Sequence, residues 1–251
     1  MLREKEVTRM TTHALPPAHQ HFSRRLTATP AVVQVLWLAG GLLLAFLIPF
    51  VLADTLELDR DVYYGVYGAS VIVFFALWMR ATDQSLRLLV SRRAALAIGL
   101  GLLAGALLVL IVYGTEEATP HPEGIDFAAA IAWRGVFYGA IDGLLLSAFP
   151  ILVVFAAFAG TRLRGSKPGT AIVALVALAA SLAMTTAYHA GYSEFRSEKI
   201  RQPVAGDVVW GAPTLLTLNP IGAPIAHIAL HTAAVVHSYE TDTFLPPHPE
   251  G

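Results

Sequence analysis

Two histidines four residues apart, His227 and His231, stand in the apolar run Ala226-His227-Ile228-Ala229-Leu230-His231. On a helix this spacing puts both imidazoles on one face, where they can reach a single metal ion, the geometry that helical zinc sites use. Zinc needs at least a third protein ligand, and His189, in Tyr188-His189-Ala190-Gly191-Tyr192, is the candidate. A further set lies upstream. Arg134, Tyr138 and Asp142 follow one another at i, i+4 spacing, so on a regular helix they share a face. The Tyr138 phenol could then bridge two charges about 12 Å apart along the axis. Each group sits in a long apolar stretch, where ionisable side chains are costly and face a cavity or one another. The chain has no cysteine, so any metal must rest on nitrogen and oxygen.

The elements that must position these residues are membrane helices. Of 251 residues, 55% are hydrophobic and 14% charged, against about 25% charged in soluble domains. Residues 31–53, 62–79 and 94–113 are free of Asp, Glu, Lys and Arg, and each is long enough to cross a ~30 Å hydrocarbon core. The predicted fold class is all-α, a polytopic transmembrane helical bundle of about six spans built from six to eight helical segments. Residues 1–30 form a polar N-terminal arm, 31–238 the helical domain, and 239–251, with Pro246, Pro247 and Pro249, a disordered tail. The 24 charge-free residues 30–53 exceed the 7 to 15 of a signal-peptide core and read as a retained anchor. His13, His19 and His21, in the arm, are too loosely spaced for a metal site.

The connectors alternate in sign. Arg80, Arg87, Arg92 and Arg93 fill one, and Arg162, Arg164 and Lys167 another; Asp54, Glu57, Asp59 and Asp61, then Glu116, Glu117, Glu123 and Asp126, fill those between. Counting the arm, twelve Lys and Arg fall on one side and four on the other, Arg60, Arg196, Lys199 and Arg201. Lys and Arg mark the cytoplasmic side, which places the N-terminus there and the chain in the cell membrane as a multi-pass protein. The bilayer is its first partner, and nothing in the sequence points to nucleic acid.

Two passages are irregular. Residues 127–160 would reach about 50 Å as one helix and are interrupted by Arg134, Asp142, Gly143 and Pro150, which predicts a kinked or broken single crossing. Residues 208–237 hold Pro213, Pro220 and Pro224 with Gly211 and Gly222, which predicts a descending loop and then a helix from about residue 224. Irregular backbone at membrane depth is tolerated only where protein or a watery cavity covers it, so this passage is a candidate wall of a site. On this topology the span of His189 ends on the outer side, where the helix of His227 begins.

Taken in order, these segments resemble the CPBP family, intramembrane metalloproteases that include the CAAX prenyl endopeptidases and the bacteriocin-processing proteins. Its first motif, Glu-Glu-x-x-x-Arg, commonly continues as Arg-Gly-aliphatic-aromatic-Tyr-Gly, and Arg134-Gly135-Val136-Phe137-Tyr138-Gly139 matches that continuation. A Phe-x-x-x-His motif falls on His189, with Thr185 in the Phe position, and a His-x-x-x-Asn/Asp motif falls on His227 with His231 last. The paired glutamates fall on Ala129 and Ala130. The resemblance covers about residues 128–237. It implies zinc on His189 and His227, with His231 as a further ligand or as the group that polarises the carbonyl, a structural role for Arg134 with Tyr138 and Asp142, and a membrane-associated peptide or protein as substrate or ligand. The loss of both glutamates implies a non-catalytic or atypical relative, unless Asp126 or Asp207 replaces the base. Two other classes fit the same residues: a carrier or channel whose irregular passages line a path, and an accessory subunit in which the arginine and histidines join helices.

Overall fold

The computed structural model describes residues 29–240 and 244–247. Most of the N-terminal arm, with its three histidines, lies outside the described residues, as do 241–243 and 248–251 of the tail. The described residues form eight helices and no strand: α1 (Ala31–Thr55), α2 (Arg60–Ala81), α3 (Leu86–Ser91), α4 (Ala94–Thr115), α5 (Gly124–Ala157), α6 (Lys167–Ala190), α7 (Arg201–Thr217) and α8 (Gly222–His237). Five of these, α1, α2, α4, α5 and α6, are long and apolar enough to cross a membrane.

Local chemistry sets the helix ends. The Asp59 carboxylate accepts from the backbone N–H groups of Asp61 and Val62 and starts α2. Ser166 accepts from Gly169 N–H and starts α6. These caps satisfy donors that a helix leaves orphaned. The outer faces are apolar: Leu36, Leu103, Leu110 and Leu175 are each about two-thirds exposed. Leucines presented in rows outward are expected where the surrounding solvent is lipid.

The acidic connectors gather at one face of the bundle and the basic connectors at the other. Two contacts fix the course of the C-terminal helices. At the basic face the turn between α7 and α8 is clamped by Asn219, whose Nδ2 donates to the carbonyls of Val90 and Arg92. At the acidic face His237 Nε2 donates to the Glu116 carbonyl beside the end of α4. The predicted descending loop is therefore helix α7, which contains Pro213. α8 then rises from the basic face, so the helix of His227 begins opposite the end that carries His189, contrary to the expectation from sequence. Helices α7 and α8, with 17 and 16 residues, span only about 25 Å. With them, seven helices run between the two faces where about six were expected, and the described end of the chain returns to the acidic face.

α5 is the most enclosed of the five long apolar helices. It is not broken. It stays helical through two wide turns with π geometry, Ile131–Phe137 and Gly143–Ala148. The second lies just before Pro150, whose ring would crowd the Leu146 carbonyl in a regular helix and whose nitrogen offers that carbonyl no hydrogen.

Candidate metal centre

Glycine brings α5 and α8 together. Gly135, Gly139 and Gly143 recur every fourth residue along α5 and face Thr232, His227–Ile228 and Pro224 of α8. A Cβ on Gly139 would stand 2.9 Å from the His227 carbonyl oxygen, so only glycine permits this crossing. Small residues at such spacing let membrane helices approach backbone to backbone. The approach seats Asp142, near the middle of α5, against His227 and His231.

Those three side chains are buried and offer one ligand atom each, all within 4.8 Å of one another. His231 Nδ1 donates to the Phe244 carbonyl at 2.7 Å. A carbonyl only accepts, so Nδ1 carries a proton and Nε2 is the atom turned inward. Nε2 stands 3.4 Å from Asp142 Oδ2 and has no hydrogen-bond partner. Asp142 Oδ1 accepts from Tyr67 at 2.8 Å. Both nitrogens of His227 are buried without a partner. Lone pairs and a carboxylate turned toward one point, with outer hydrogen bonds that fix their orientation, form an arrangement that a proton or a cation must complete. Two imidazoles and one carboxylate match the three-ligand set of catalytic zinc sites, which keep a further position open.

The cluster forms the floor of a cavity of about 470 Å³ that extends to Glu116 and Gln202 at the acidic face. His189, Trp210, Leu230 and Phe244 line it. His189 is thus on the cavity wall but outside the group of three, where sequence reasoning had made it a ligand. Its Nδ1 donates to the Thr185 carbonyl at 2.8 Å, which leaves Nε2 as the proton-accepting atom.

The remaining predicted residues separate. Arg134 does not share a bridge with Asp142. It forms a two-pronged ion pair with Asp61 at the start of α2, Nε to Oδ1 at 2.9 Å and Nη2 to Oδ2 at 2.8 Å. It lines a separate acidic-face cavity of about 750 Å³. The Tyr138 hydroxyl meets Tyr188 at 2.9 Å instead of either charge. The two charges stand about 12 Å apart along the axis, and each has a nearer partner, Asp61 for Arg134 and Tyr67 for Asp142. Tyr138 belongs to a cluster of buried phenols in which Tyr188 also meets Tyr63 and Tyr192.

Ala129 and Ala130 lie near the acidic end of α5, about 18 Å along the axis from Asp142. Asp126 is exposed there as well. Asp207 is buried, with Ser147 and Ser181 as its hydrogen-bond partners and not the histidines. The carboxylate that joins the histidines is Asp142, which sequence reasoning had assigned to structure. Part of the segment expected to be a disordered tail has a place in the site. Leu245 is fully buried, Phe244 holds His231, and Arg60 donates twice to the Pro247 carbonyl. No family model, no curated protein and no solved structure matches this chain.

Proposed function

We propose that this integral membrane protein is an atypical, CPBP-like metalloprotein in which Asp142, His227 and His231 hold a zinc ion, and that its reaction is hydrolysis of a peptide bond in a membrane-associated polypeptide. The observation that carries the reading is the convergence of one carboxylate oxygen and two imidazole nitrogens within 4.8 Å at the floor of a cavity. Zinc, when bound, supplies a Lewis acid and lowers the pKa of a coordinated water.

The chain's own residues do the rest. Tyr67 fixes Asp142, and the Phe244 carbonyl fixes the tautomer of His231. His189 Nε2 takes the proton-carrying part that the glutamates at positions 129 and 130 would play in the family, accepting a proton from the attacking water and returning it to the leaving amine. Leu230, Trp210 and Phe244 limit water in the cavity and provide apolar contact for a substrate.

The reading is tested on purified protein by elemental analysis and by cleavage of a membrane-tethered peptide reporter. About one zinc per chain, lost in His227→Ala and His231→Ala, with cleavage abolished by a chelator and restored by zinc, is the expected result. Bound zinc without cleavage would reduce the protein to a metal-binding relative. No metal in a folded protein would sink the reading.

A further inference from the structure

A second buried carboxylate, separate from the metal centre, has no counter-charge. Asp207 on α7 is fully buried, and among the described residues no Lys, Arg or His pairs with it. Ser147 of α5 and Ser181 of α6 donate to its Oδ1 at 2.7 and 3.0 Å. Its Oδ2 has no hydrogen-bond partner. The Thr185 hydroxyl of α6 and the Trp210 indole N–H stand beside the carboxylate, and neither makes a hydrogen bond of good geometry to it. Ser181 Oγ lies 3.0 Å from the Leu146 carbonyl as well, the carbonyl that Pro150 cannot serve in the helix. Gly211 packs against this assembly, and a Cβ there would make ordinary contact with Asp207 Oδ1 at 3.4 Å and Ser147 Oγ at 3.6 Å.

We propose that this nest is a binding site for a monovalent cation, sodium. Four oxygen-bearing side chains converge there from three helices: a carboxylate, two serine hydroxyls and a threonine hydroxyl. The nearby Trp210 indole N–H can donate to the carboxylate but cannot ligate. An all-oxygen donor set disfavours zinc and copper, which take nitrogen or sulfur. One carboxylate neutralises one positive charge, whereas calcium sites gather several anionic ligands and magnesium keeps much of its water. In a low-dielectric interior the isolated carboxylate is expensive, and a bound sodium makes the site neutral. With the ion present, Ser181 turns its hydrogen to the Leu146 carbonyl, already at bonding distance, and offers its lone pair inward. Trp210 stands between the nest and the cavity, its ring 4.6 Å from that of His227, so an ion entering from the acidic face reaches the nest past this indole.

The proposal does not depend on zinc at Asp142, and the experiment separates the two. Purified full-length protein is heated in sodium chloride and in choline chloride at equal ionic strength and fixed pH, and bound radioactive sodium is counted. The expected result is a saturable rise in Tm specific to sodium, with one sodium per chain, absent in Asp207→Asn. Thr185→Val removes one ligand oxygen and keeps the carboxylate, so it decides the matter if Asp207→Asn does not fold. Its sodium affinity falls about tenfold, with zinc content unchanged. Equal Tm in both salts, a sodium response that survives either substitution undiminished, or a response to pH in place of sodium would each overturn the proposal. The last result would assign a proton to Asp207.

Discussion

Nε2 of His231 faces Oδ2 of Asp142 across 3.4 Å, while Nδ1 of the same ring donates to Phe244. The second bond decides what the first contact means. With Nδ1 committed to Phe244, Nε2 is the atom left to meet Asp142, through a shared proton or through a bound cation. Asp142→Asn is therefore expected to lose stoichiometric zinc, because the amide gives no charge to the ion. Tyr67→Phe keeps the carboxylate but frees it to rotate, and zinc affinity is expected to drop by roughly 10- to 100-fold. Competition with a fluorescent zinc chelator measures both. Unchanged zinc content in Asp142→Asn would mean that Asp142 is not a ligand.

His189 separates positioning from chemistry. It lines the cavity but stands outside the group of three, so His189→Gln should leave zinc content intact. If Nε2 carries the proton, cleavage of the tethered reporter should fall by about 100- to 10,000-fold, the usual cost of losing a general base. The pH dependence of the residual rate should lose its acidic limb. Loss of zinc together with cleavage would make His189 a ligand after all.

Much of this architecture is legible in composition and charge. Charge-free runs and alternating connectors predict the helices that are long enough to span, as well as the two faces. The histidine pair is legible because i, i+4 spacing on a single helix survives folding. That Asp142 is the group that meets the histidines is not legible, because its place depends on tertiary contacts that period counting does not carry. Arg134, Tyr138 and Asp142 each take a different partner, Asp61, Tyr188 and Tyr67. The crossing of α5 and α8 selects which residue meets the histidines, and its signal, glycine at 135, 139 and 143, was present in the sequence but went unused. Proline misled at residue 213, where it lies inside a helix. Nothing local to Phe244 announces that its carbonyl holds His231, since that contact is purely tertiary.

The pair Arg134 and Asp61 predicts a structural role for the arginine of the CPBP-like motif. Two parallel bonds at 2.9 and 2.8 Å require a guanidinium fork, so Arg134→Lys should not substitute for arginine. A double-mutant cycle with Arg134→Ala and Asp61→Asn, read by thermal unfolding in detergent, should give a coupling of about 1 kcal/mol. Zinc affinity should stay within a few-fold of the parent protein, because neither residue touches the cluster. A large effect on zinc with no coupling between the two would show that Arg134 acts elsewhere.

The crossing itself can be tested with one methyl group. In Gly139→Ala the new Cβ meets the His227 carbonyl and the Ile228 Cα at 2.9 Å, both of them backbone atoms that cannot rotate aside. α8 must therefore move outward and take both histidines with it. A destabilisation of about 1–3 kcal/mol is expected, together with weakened zinc binding. Gly99→Ala on α4 is the control, since a Cβ there meets nothing within 4 Å. That change should be neutral or raise stability by up to about 1 kcal/mol through helix propensity alone. Equal behaviour of the two variants would mean that helix propensity, and not the close approach of α5 to α8, determines the outcome, and the glycine stripe would lose its role in building the site.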